Sequence, residues 1–157
     1  SIPLNKKRKE NNKIMKKGAL VLLFMLSQSI FSQSKTLPEG CVQYTPEQMP
    51  WVGNVPNLPP GTQFCALYGD VKKQGPFAVR LQLQPNIALK NHYHEQDEVV
   101  TVLEGSVSVS FPGQPAQTFG AGSFYVNAAH IEHAVQVGPK GATLQINAQG
   151  PWTVIFK

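Results

Sequence analysis

The sequence predicts an all-β fold, an antiparallel sandwich or barrel. Short runs of alternating apolar and polar residues recur from Gln63 to the end of the chain. Gly- and Pro-containing turns separate those runs. No stretch beyond residue 34 keeps a helical apolar period over 11 residues, so strands have no competitor there.

Taken in order, the first element is a leader. In "MKKGALVLLFMLSQSIFSQS", residues 15–34, Lys16 and Lys17 precede an unbroken apolar run from Ala19 to Leu26. Small and polar residues follow, with Ser32 and Ser34 spaced as at a small-x-small cleavage site. This is the pattern of a secretory signal peptide. The apolar run is too short to cross a bilayer, which takes about 20 residues. Met15 is then the expected true start, and residues 1–34 are an upstream extension plus signal peptide. The expected location is exported, periplasmic or secreted, with no stable membrane span in the mature form.

The leader also explains the charge. The formal net charge is +5. Residues 1–34 hold seven Lys/Arg and one Glu; residues 35–157 hold seven Lys/Arg and eight Asp/Glu. The basic excess belongs to the segment expected to be removed, so it gives no reason to expect a nucleic-acid partner.

Residues 35–62 carry Pro38, Pro46, Pro50, Pro56, Pro59 and Pro60 and show no periodicity. They read as an extended N-terminal arm, with Trp51 and Val52 anchoring it to the body. The barrel domain is expected over 63–157. "FAVRLQLQ" alternates Phe77, Val79, Leu81 and Leu83 against Ala78, Arg80, Gln82 and Gln84, a strand with one buried face. Pro85 and Asn86 end it. "VVTVLEGSVSVSF" reads as a β-hairpin turning at Glu104-Gly105, and "PGQP" as a second turn. "FYVNA", "HAVQV", "ATLQINA" and "WTVIFK" supply further short strands. Cys41 and Cys65 are the only cysteines. In an oxidising compartment they form a candidate disulfide, worth roughly 3 kcal/mol by chain entropy for a loop of about 25 residues. The other outcome is two thiols, one of them buried.

The stretch "NHYHEQDEVV", residues 91–100, carries the chemistry. On a strand, residues i and i+2 face one side, about 7 Å apart, so His92 and His94 project together and Tyr93 projects away. "EQD" turns the chain back. Glu98 then opens the next strand with the parity of Val100 and Val102. If those valines face the core, so does the carboxylate, and a carboxylate there is costly unless paired or coordinated. A metal ion meets that need. His133 in "AAHIEHAV" is the best further ligand, and His130 is its competitor. Asp97 and Glu95 read as a solvated turn, Glu132 as a surface residue, Arg80 as outward-facing, and Trp152 as packing for the C-terminal strand. Phe124 and Tyr125 precede the second histidine-bearing loop, and at least one is expected to pack in the barrel.

"HYHEQDEVVTVLEG" resembles the first motif of the cupin superfamily: His92-x-His94, three residues, Glu98, six residues, Gly105. "GAGSFYVNAAHIEH" resembles the second motif, with Gly122 as the motif glycine and His133 as the third histidine. Small exported cupins share this arrangement, and some resemble the cupin domain of anti-sigma factors. The resemblance implies an antiparallel double-stranded β-helix, or jelly-roll barrel. It also implies a 3-His/1-Glu centre of His92, His94, Glu98 and His133 for a divalent transition metal (Mn, Fe, Ni, Zn, Cu or Co). A metal-dependent protein that binds or transforms a small organic molecule is the expected function, with oxygenase- or isomerase-type chemistry open to it. A non-catalytic sensor and a structural envelope protein are the alternatives, and a homodimer is the expected assembly.

Overall fold

The computed structural model describes residues 36–157; the expectations for the upstream extension and signal peptide lie outside the described residues. A single 3-10 turn, Pro46–Gln48, is followed by β1 (Trp51–Gly53), β2 (Gln63–Tyr68), β3 (Gly75–Leu83), β4 (Ala88–Tyr93) and β5 (Glu98–Ser110). Then come β6 (Gln117–Gly120), β7 (Phe124–Asn127), β8 (His133–Gly150) and β9 (Ile155–Phe156). All the pairings among them are antiparallel. The all-β antiparallel fold expected from the alternation is what the chain adopts.

Two long strands hold the architecture together. The second half of β8 lies between β3 and the first half of β5. The first half of β8 lies between β4 and the second half of β5. Each of β5 and β8 therefore serves both faces of the barrel. On one face β2, β3, β8, β5 and β7 are neighbours; on the other, β9, β4, β8, β5 and β6.

This corrects the sequence reading in two places. Glu104-Gly105 is not the turn of a hairpin but an irregularity inside β5, where the pairing with β8 shifts on both sides of it. "HAVQV" and "ATLQINA" are likewise two halves of one strand. The cause is a matched pair of glycines. Gly105 has φ +67° and Gly141 φ +78°, and a Cβ on Gly105 would run into the Gly141 carbonyl oxygen. Backbones that cross this closely let the strands bend without ending. In "WTVIFK" only Ile155–Phe156 is strand.

The inward parity read from "FAVRLQLQ" holds. Phe77, Val79, Leu81 and Leu83 are buried with Val100, Val102, Val107, Val109, Val135, Val137, Leu144 and Ile146. Arg80 faces outward and donates from Nε to Gln145 Oε1 at 3.1 Å. Trp51–Gly53 does fasten to the body, pairing with β2, although Val52 stays exposed.

Cys41 and Cys65 do not form the expected disulfide. Cys65 is buried on β2, its sulfur 4.0 Å from Met49 Sδ, whereas Cys41 is exposed on the arm. The sulfur near Cys65 is thus that of Met49 and not that of Cys41. Burial pushes the Cys65 thiol up, further from the reactive thiolate. Native alkylation should therefore modify Cys41 alone and reach Cys65 only in denaturant; a protein with no free thiol even in denaturant until a reductant is added would contradict this. Gly105→Ala should cost about 2 kcal/mol or more, from left-handed backbone strain plus overlap with Gly141. Urea unfolding measures it, and a loss below about 0.5 kcal/mol, the scale of an inert surface change, would contradict the bend's origin.

Candidate metal centre

Three imidazoles converge inside the barrel. His92 on β4 pairs directly with His133, the first residue of β8, and their ring centroids are 4.3 Å apart. His94, two residues beyond His92, shares its side, as strand parity requires. One ring nitrogen from each of the three lies within 4.8 Å of the others. The histidines are at most 3% exposed. Glu98, at the start of β5, is buried because it shares the parity of Val100 and Val102. Its Oε1 is 3.4 Å from His94 Nε2, and its Oε2 is 3.8 Å from His133 Nε2. All four residues expected from the sequence are brought together. His130 is not: it sits at φ +63° on the rim, exposed, its ring beside Tyr93. Glu132 stays outside as well, holding Asn91 and Lys157, and Asp97 accepts from the Ala129 amide across the turn.

The protonation of the rings follows from their partners. His92 Nδ1 lies 2.7 Å from the Lys90 carbonyl, His94 Nδ1 2.7 Å from that of Thr153, and His133 Nδ1 3.0 Å from that of Ile131. A carbonyl oxygen only accepts, so each Nδ1 carries the hydrogen. Each Nε2 is then a bare lone pair when the ring is neutral. Burial holds all three rings below the ordinary histidine range, which favours that neutral form.

The inner faces consequently do not satisfy one another. His94 Nε2 and His133 Nε2 are buried without a hydrogen-bond partner. Facing them at 3.4 and 3.8 Å are oxygens of Glu98, also acceptors when ionised. Several buried acceptors pointing at one another need either extra protons or a cation between them. The donor set, three imidazole nitrogens and a carboxylate, fits a divalent transition metal and provides no sulfur for a softer one. The backbone carbonyls on Nδ1 are the outer partners that fix ring orientation in such sites.

Three contributors escaped the sequence reading. Asn127, opposite Glu98 on β7, is buried and donates from Nδ2 to Glu98 Oε2 at 2.8 Å. Its signal was available: a polar side chain with inward strand parity, as at Glu98. Trp152 was expected only to pack the C-terminal strand, but it stacks on His94 with centroids 5.2 Å apart and planes at 17°. Thr153 acts through its carbonyl, which no side-chain pattern announces. Beside His92 and Glu98 is a cavity of about 30 Å³ walled by Leu81, Leu89, Tyr125 and Ile146. It holds little more than a water molecule. Phe124 is exposed and Tyr125 packs inward, so one of the two aromatic residues serves the barrel.

The family profile of Cupin_7, the ChrR cupin-like domain, matches residues 40–156. The chain belongs to this cupin family. No curated protein matches it at the level of whole-sequence similarity. Among solved structures, the polyketide cyclase RemF from Streptomyces resistomycificus is 20% identical with a TM-score of 0.61, covering 74% of this chain and 84% of that one. KdgF from Halomonas sp. is 17% identical with a TM-score of 0.56, covering 68% and 90%. An RmlC-like cupin from Shewanella frigidimarina NCIMB 400 is 20% identical with a TM-score of 0.54, covering 68% and 87%. At these identities the likeness shows the cupin fold.

Burial pushes the Glu98 carboxyl up, against the opposing hydrogen bond from Asn127. A carboxyl raised by folding contributes least above its folded pKa, where the buried group must ionise; stability therefore falls as pH rises from about 4.5. Glu98→Gln removes that penalty. The metal-free Glu98→Gln protein should be more stable than the metal-free parent by about 1 kcal/mol or more at pH 8, and the gain should shrink toward pH 4. Thermal unfolding with chelator present across that range checks it; an equal or lower stability at pH 8 would contradict the buried-charge account.

Proposed function

We propose that this protein is an exported metal-binding cupin whose divalent ion is held by His92, His94, His133 and Glu98. The observation that carries the reading is the set of hydrogen bonds from each histidine Nδ1 to a backbone carbonyl, which turns the Nε2 lone pairs inward beside Glu98. In their places the histidines would be pre-oriented ligands, Glu98 would offset the charge, and Asn127 would fix one carboxylate oxygen. A bound divalent metal would supply Lewis acidity, or redox chemistry if the ion is redox-active.

Two uses of such a centre compete: binding or turnover of a small organic molecule at the ion, and non-catalytic sensing. The size of the inner cavity favours sensing. About 30 Å³ beside His92 and Glu98 admits water-sized molecules but no organic substrate. The ChrR cupin-like family match supports the same preference. Export rests on the Lys16-Lys17 start and the Ala19–Leu26 apolar run. A homodimer is part of the proposal, supported by exposed Phe124 and Val126 on β7, which among the described residues pairs only with β5.

Protein purified from the exported fraction without added metal should contain about one transition-metal ion per chain by elemental analysis, as a single built site requires. Alanine at His92, His94 or His133 should lower that content well below the parent's, and Glu98→Gln should weaken it. His130→Ala should leave it unchanged. Parent-like metal in every ligand variant would sink the metal reading, and loss in His130→Ala alone would reassign the third histidine. The mature N-terminus should fall near Gln33 or Lys35; recovery of intact Met15 on cytoplasmic protein would refute export.

A further inference from the structure

The arm and the C-terminal segment enclose a second, larger pocket outside the barrel interior. Its volume is about 570 Å³, within the range of roughly 300–1,000 Å³ typical of small-molecule sites. Register shows what kind of surface it is. Val52 pairs with Phe64, and Phe64 pairs with Leu81, so all three point to one side of the sheet. Leu81 is core at 3% exposure, yet Val52 is 52% exposed. The core-facing side of the sheet thus runs on past the barrel without a covering layer. Leu58, Phe64, Val71 and Trp152 pack against the core and line this extension, and Val52 and Val55 form its outer wall. The wall is braced, since the Trp152 amide donates to the Val71 carbonyl at 2.7 Å.

The lining carries one charge. Lys72 stands at the pocket, exposed, and no acidic residue lines it. The nearby Asp70 accepts from the Lys72 amide and makes its ion pair with Lys73; it feels the Lys72 charge at longer range, and the Lys72 ammonium has no ion pair of its own among the described residues. An apolar basin with a single ammonium at its edge is complementary to a molecule with an apolar body and one carboxylate.

We infer that this pocket binds a small amphipathic monocarboxylate, its hydrocarbon or aromatic body over Val52, Leu58, Phe64 and Trp152 and its carboxylate paired with Lys72. Ligand capture here requires no ion at the metal centre. Trp152 is both a wall of this pocket and the cover of His94, so its fluorescence is a natural reporter.

The test is calorimetric titration of the exported protein, with and without chelator, using octanoate and 1-octanol as probes. Octanoate should bind at one site per chain in both conditions. Lys72→Glu should weaken octanoate by about tenfold or more, the scale of one charge-assisted contact, and leave 1-octanol unchanged. Val55→Trp, which fills the basin, should abolish both. Lys72 is exposed, so the charge-reversal variant keeps the test valid if Val55→Trp fails to fold. No saturable octanoate binding would overturn the assignment. Equal weakening of both probes by Lys72→Glu would do the same. So would a native dimer that Val55→Trp splits into monomers, because a second copy would then be the occupant.

Discussion

The hydrogen bond from each histidine Nδ1 to a main-chain carbonyl is the constraint on which the site depends. A neutral histidine exchanges its proton between two distinct ring nitrogens until a partner fixes one tautomer. Here Lys90 and Ile131 supply carbonyls from two residues upstream of His92 and His133, and Thr153 supplies one to His94 from a distant segment. The first two bonds are local, set as each strand is formed. The third joins the far end of the chain to the motif. It explains why Gly150–Lys157 lies where it does, with Trp152 over His94 and β9 paired to His92 and Tyr93. The same geometry creates a set of inward acceptors that the protein's own donors leave incomplete, which is the physical basis for a cation there.

Presenting those rings to one another is the work of the two long strands. β5 delivers Glu98 and β8 delivers His133, and both strands must reach each side of the barrel. Continuous strands can do so only by bending, and the Gly105 and Gly141 crossing makes room for the bend. Fold and site are linked at this point: Glu98 opens β5 and His133 opens β8, at opposite ends of their shared ladder, yet the bent strands bring both side chains to one interior while the valines along them build the core.

Much of this was legible in the sequence. The period-two alternation in residues 77–84 gave the buried face of β3, and the shared parity of Glu98, Val100 and Val102 put a carboxylate inside. The spacing of His92 and His94 placed two imidazoles on one side. What misled was Glu104-Gly105, because a glycine beside a polar residue between valine runs serves equally as a hairpin turn or a bulge; only the partner strand decides. The disulfide reading failed for a related reason. Cysteine count and compartment do not encode that Met49 packs against Cys65. Trp152 and Thr153 were invisible as site residues because their roles arise from tertiary placement, one through a ring face and one through a backbone oxygen. Asn127 was legible by the rule that exposed Glu98, inward parity of a polar side chain.

The most direct test of the central claim is nitrogen-15 NMR of the histidine side chains in metal-free protein at neutral pH. His92, His94 and His133 should each be a single neutral tautomer with hydrogen fixed on Nδ1 and a bare Nε2, and the Nε2 signals should move together when a diamagnetic divalent ion is added. Hydrogen on Nε2 in these rings, or fast exchange between tautomers like that of an exposed histidine, would contradict the account.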